Sequence, residues 1–192
     1  MASIYRLRVG WAGTGVVGPG LTTLFFDDTA TVANITPAVN TFFTAIKSYA
    51  APGITWTIPN GGDTIDPVTG ALTGTWTSGG AYTVTSSSSG AFAEGVGVRI
   101  DWKSHIIRYG RRVRGAMYFC PIASLYLTNQ GLPDSTMVTN IQTAANTLIA
   151  SSGVVPVIWA RPNAKKSHTG EQAIIDSAVV PTAISWLRSR RT

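Results

Sequence analysis

Charge is scarce in this chain. Asp, Glu, Lys and Arg make up 12% of its 192 residues, about half the share usual in a soluble globular protein. A free monomer normally stays dispersed by carrying more charge than this. The surface must therefore be rich in Ser, Thr and Asn, or be covered by partners. The sequence fits both, and the second predicts a homo-oligomer of many copies.

Other absences narrow the function. Cys120 is the only cysteine, which excludes an intrachain disulfide and a cysteine-based metal cluster. Within MYFCP at 117–121 it is read as a small core residue. No apolar run approaches the roughly 18 residues of a membrane span. Arg6 and Arg8 interrupt the N-terminal MASIYRLRVGW, so no signal-peptide core is expected there.

The histidines are His105 and His168, and the glutamates are Glu94 and Glu171. Neither a G-x-S-x-G elbow nor an H-E-x-x-H pair occurs. Asp27-Asp28 has no second carboxylate placed by the sequence to complete a glycosidase pair. No catalytic residue, metal site or cofactor is predicted.

One motif argues the other way. VGWAGTGVVGPG at 9–20 contains a literal G-x-G-x-x-G at Gly13, Gly15 and Gly18. A dinucleotide site needs the last glycine to open a helix, and an acidic residue about 20 positions on. Here Pro19-Gly20 follows, then LTTLFF, whose β-branched and aromatic residues predict a strand. The glycines are read as a bend between strands.

Strand patterns dominate the rest. Tyr5, Leu7, Val9 and Trp11 alternate with Arg6, Arg8 and Gly10, the period of a half-buried strand. Further strands are expected at 21–27, 54–58, 71–77, 81–86, 96–104, 115–122, 154–160 and 173–187. Turn clusters separate them, among them PNGGD at 59–63 and DPVTG at 66–70.

Two helices are predicted. Thr36-Pro37 reads as a cap followed by proline at the first helical position, with Val39, Phe42, Phe43, Ile46 and Tyr49 at helical spacing and Pro52-Gly53 as the stop. The second runs from about Asp134 to Ala150 on a stripe of Met137, Val138, Ile141, Ala144, Ala145, Leu148 and Ile149. The expected fold is mainly β, a jelly-roll-like β-sandwich of about eight strands with two short helices in its connections. It is a single domain over 1–192, with a short basic tail at 187–192.

The net charge of +6 is unevenly distributed. Residues 1–98 hold three basic and five acidic side chains, whereas 99–192 hold twelve and four. Six cations and one acid fall within 99–114: Arg99, Lys103, Arg108, Arg111, Arg112 and Arg114, with Asp101. Glycines frame an arginine-rich turn or edge there. Arginine forks suit phosphate oxygens and can hold a nucleic-acid backbone without reading bases. An edge strand guarded from self-pairing by its charges is the plain alternative. Arg188, Arg190 and Arg191 at the C-terminus repeat the theme, weak singly and strong in many copies.

In overall plan, with G-R-R-V-R-G at 110–115 and L-R-S-R-R at 187–191, the chain resembles jelly-roll capsid or other virion structural proteins of small viruses and phages. Many of those begin with a long basic arm, whereas this chain begins with a strand. The resemblance implies a non-enzymatic coat protein located in the virion after assembly in the host cytoplasm. Its basic residues would contact the packaged genome through non-specific phosphate contacts or line a subunit interface. The alternative is a carbohydrate- or ligand-binding β-sandwich module, spike- or lectin-like, using exposed Trp56, Trp76 or Tyr82.

Overall fold

Alternation of apolar and polar residues makes Ile4–Ala12 a strand, β1, with Leu7 and Val9 fully buried and Arg8 exposed. The computed structural model describes residues 3–13, 20–26, 28, 30–66, 69, 71–108, 111–128, 134–152, 156–159, 174–177 and 180–188. Over these the chain is mainly β and antiparallel, with two short helices.

β1 pairs along one edge with β2 (Gly20–Phe26), Tyr5 opposite Phe26 and Trp11 opposite Gly20. The glycine-rich stretch thus joins two antiparallel strands, and a strand stands where a dinucleotide turn needs a helix. Gly15, Gly18 and Pro19 lie outside the described residues. Gly20 has a packing reason: a Cβ there would collide with the Trp11 indole.

On its other edge β1 meets β3 (Thr55–Ile58) and β4 (Gly61–Ile65), laid end to end. From the Gly10–Thr57 pair to the Arg6–Asp63 pair, β1 advances four residues and its partner six. The surplus is a bulge around Pro59-Asn60, where proline cannot donate to the ladder. The turn expected at 59–63 is corrected accordingly, because Gly61–Asp63 belong to β4. These glycines permit close strand approach, since a Cβ on Gly62 would strike the Arg6 carbonyl. β5 (Leu72–Thr77) pairs with β4, and β6 (Tyr82–Thr85) with β3, to complete the first sheet.

The first helix, α1, spans Val32–Ile46, so it starts a turn before the predicted Thr36-Pro37 opening. Pro37 lies inside it and leaves the backbone short of one donor. The adjacent Thr36 N–H donates to Ser78 Oγ at 3.2 Å. A side chain from the β5–β6 connection thereby accepts from a helix N–H next to the proline. The second helix, α2, spans Ser135–Ser152. Asp134 caps it, its Oδ1 accepting from Thr136 N–H at 2.9 Å and Met137 N–H at 3.0 Å. Asp134→Ala is expected to destabilise the protein by about 0.5–2 kcal/mol, a fall in Tm of a few degrees by circular dichroism.

The first helix packs against one face of the first sheet, and the second packs against the first helix. Val39, Phe42, Phe43 and Ile46 of α1 and Met137, Ile141, Ala145 and Leu148 of α2 meet Leu7, Leu24, Phe26, Trp56 and Ile58 in one core. The other face of the sheet holds a small cluster of Ile4, Ile65 and Phe25. There Arg6 is bonded to Asp63 at 2.9 and 2.5 Å, with Arg8 3.8 Å from the same carboxylate. Thr55 and Thr85 join hydroxyls across β3 and β6 at 3.2 Å.

The second sheet contains β7 (Phe92–Arg108), β8 (Arg111–Ala123), β9 (Pro156–Trp159), β10 (Ile174–Ser177) and β11 (Val180–Arg188). β7 and β8 outrun the predicted 96–104 and 115–122, and the predicted 173–187 divides into an antiparallel pair, β10 and β11. The two sheets meet where Ile122 bridges Ala50 and enters the main core.

Candidate nucleic-acid interface

The basic stretch forms the end of the β7–β8 pair that closes on Arg108 opposite Arg111. Of the arginine-rich turn or edge expected from sequence, the structure has the edge: Arg111, Arg112 and Arg114 lie on β8, the last strand in the order β10-β11-β7-β8. Alternating Val96, Val98, Ile100 and Trp102 give the middle of the strand its period. Cross-strand pairing then carries it to Arg108, past the point where the apolar pattern fades.

Register decides which cations meet. Lys103 is directly opposite Arg114, Arg108 opposite Arg111, and Arg112 opposite Ile107. A register shift between Lys103 and Ile107 places Ser104, His105 and Ile106 in an irregular segment. Like charges at directly opposed positions destabilise an antiparallel pair. Two such oppositions stand here, and among the described residues no acidic residue is registered directly against any of the five cations. An anion lying along the hairpin would remove that repulsion.

Of the other sequence-predicted cations, Arg99 is four positions before Lys103 on β7. Arg99 is registered against Tyr118 of β8 and Ser185 of β11. Arg188 is opposite Val96, seven strand positions from Lys103 and hence about 23 Å away along β7. Arg190 and Arg191 lie outside the described residues, as do His168 and its loop. The structure therefore places Arg99, Lys103, Arg108, Arg111, Arg112 and Arg114 on the one β7–β8 pair, and Arg188 opposite the earlier part of β7.

The aromatics of the ligand-binding alternative belong to the core. Trp56 and Trp76 are buried, and Tyr82 packs half-buried against the same cluster. Trp76 donates its indole N–H to the Asp63 carbonyl at 3.0 Å and meets Tyr5 edge to face.

A second surface escaped the sequence reading. Neither α1 nor α2 contains a charged residue, and a groove of about 340 Å³ runs between them past Thr41, Ala45, Asn140, Thr143 and Thr147. The threonine hydroxyls in it donate to their own helices: Thr41 to the Pro37 carbonyl, Thr143 to Thr139 and Thr147 to Thr143, each at 3.0 Å. The exposed helical layer is thus uncharged and presents few free donors. The signal was in the sequence as two charge-free segments, but only folding brought them together.

Among the described residues, no helix is long and apolar enough to cross a membrane. No known protein family, curated protein or solved structure matches this chain. Fold and site together define a mainly β, antiparallel protein with two short helices and a basic end to the β7–β8 pair.

Proposed function

We propose that this chain is a self-assembling structural protein, a viral or phage coat protein of jelly-roll-like sandwich type. In this reading its basic hairpin lies against packaged nucleic acid in the virion. The observation that carries it is the pair of cation oppositions in the ladder, Lys103–Arg114 and Arg108–Arg111. A backbone of phosphates would supply counter-charge to them and give binding indifferent to sequence. The charge-free helices and the low overall charge favour burial between copies, and many copies turn weak single contacts into strong ones. The role is non-catalytic.

Light scattering and electron microscopy of the purified protein, with and without nucleic acid, test this reading. Regular particles or large closed rings, formed or enlarged on adding nucleic acid and dispersed by high salt, are expected. A monomer at every concentration, unchanged by nucleic acid, would overturn it.

A further inference from the structure

β5 and β6 follow one another along the outer side of β4 and β3, running in the same direction. Among the described residues, β5 pairs only with β4 and β6 only with β3. Thr73, Thr75, Thr77, Thr83 and Thr85 are exposed along this edge, as is Gly74, where an added Cβ would meet nothing within 4 Å. The link between the two strands is drawn toward α1. Ser78 Oγ accepts from Thr36 N–H, and a Cβ on Gly79 would press on the Ala33 carbonyl.

The ladder decides which backbone groups face outward. In an antiparallel pair, opposed residues alternately exchange hydrogen bonds and turn their N–H and C=O away. Ser78 N–H donates to the Asn60 carbonyl at 2.6 Å, so Asn60–Ser78 is a bonded pair and Gly62–Trp76 the next. Gly61–Thr77 and Asp63–Thr75 are then the unbonded pairs. Ser86 N–H donates to the Ile54 carbonyl at 2.7 Å, which by the same count leaves Thr55–Thr85 and Thr57–Thr83 unbonded. The Thr55–Thr85 hydroxyl bond fits, since side chains approach most closely at unbonded pairs. Thr75, Thr77, Thr83 and Thr85 thus turn their backbone donors and acceptors away from the sheet.

Exposed edges are normally guarded by charge, proline or a bulge. No charged residue falls between Asp66 and Glu94, and neither β5 nor β6 contains proline. The register shift of β5 falls at Thr73, ahead of Thr75. From Thr75 onward the edge is unguarded. It is also complementary to itself. The span from Thr77 to Thr83, met by the same span in the opposite direction, sets Thr77 opposite the partner's Thr83 and Thr75 opposite the partner's Thr85. A two-fold axis repeats both contacts. Outward-facing residues then meet outward-facing residues, threonine pairs with threonine, which favours strand pairing, and no like charges are opposed.

We propose that β5 and β6 of two copies of this chain join edge to edge across a two-fold axis and make one continuous sheet. The inference rests on the reading that the chain self-assembles, and names a surface at which copies meet.

Sedimentation over a concentration series, with amide hydrogen exchange of the full chain, tests it. The amides of Thr75, Thr77, Thr83 and Thr85 should exchange quickly in dilute protein and become protected as copies associate. Those of Trp76 and Val84, bonded within the sheet, should be protected throughout. Thr77→Lys/Thr83→Lys sets like charges opposite each other in the Thr77–Thr83 contacts and should weaken association roughly tenfold. Thr77→Glu/Thr83→Lys sets opposite charges there and should restore it. If the parent associates but the four amides stay unprotected, or both variants associate as the parent does, the edge inference fails and self-assembly through another surface stands. If the parent is monomeric at every concentration, both fail.

Discussion

Alanine at Arg111, Arg112 and Arg114 together is expected to weaken nucleic-acid binding about 100-fold near 0.15 M salt. The figure follows from counterion release: each phosphate contact contributes a slope of about 0.9 in log affinity against log salt on duplex DNA and about 0.7 on a single strand. Losing three contacts should flatten the slope by roughly 2 to 3 units, measured by titrating the protein at four or five salt concentrations. The fold should survive. Arg114 is opposite Lys103 and Arg111 opposite Arg108, so the substitutions remove two like-charge oppositions from the ladder. At low salt the variant's melting temperature should equal or exceed the parent's, and the difference should vanish as salt screens the repulsion. A lower melting temperature with an unchanged salt slope would reverse the assignment. The arginines would then be held by acidic groups of a neighbouring copy, and the nucleic-acid role should be dropped.

The second large effect lies in the core. Trp56 is fully buried, with its ring centroid 5.1 Å from that of Phe43 on α1. On the sheet it is opposite Trp11 of β1 and Val84 of β6. It therefore joins three strands to the helical layer, and truncation leaves a cavity that none of them can close alone. Trp56→Ala should cost about 3–5 kcal/mol, or roughly 6–20 °C in Tm for a chain of this size. Trp56→Phe keeps an aromatic ring against Phe43 and should cost clearly less. Urea denaturation gives both values directly. Equal stability of the alanine variant and the parent would mean that α1 does not pack on this face.

The two predictions probe different halves of the molecule. Core truncation should reduce assembly only by depleting folded protein, so particle yield should follow the folded fraction. The arginine variant should remain folded and change only what the hairpin binds. Measuring yield beside melting temperature separates the two causes.

Much of the first sheet was legible because its signals are local. Tyr5, Leu7, Val9 and Trp11 alternate whatever surrounds them, and LTTLFF announces β2 by residue type alone. The stripes of both helices were also visible, since burial of one face imposes a 3.6-residue period. Asp134 marked the start of α2 because a carboxylate satisfies the first free N–H groups from within the same turn. The charge asymmetry between the two halves is composition, and needs no structure.

What sequence could not determine depended on contacts made from far along the chain. Pro37 looked like a helix start, yet α1 begins at Val32. Ser78, 42 residues on, accepts the neighbouring Thr36 N–H. Gly61-Gly62 looked like a turn, yet the absence of side chains is what lets β4 lie against β1 and β5. Arg6 and Asp63 give no sign in sequence that they pair across 57 residues. The basic stretch shows the same division. Its arginines are plain in the sequence, but which of them oppose each other is a matter of register. Register is settled by β8 returning along β7 and by the shift between Lys103 and Ile107. Local residue preferences determined which segments became strands and helices. Long-range pairing, in which each backbone N–H and C=O must find a partner, decided how those segments were joined and where the positive charge was concentrated.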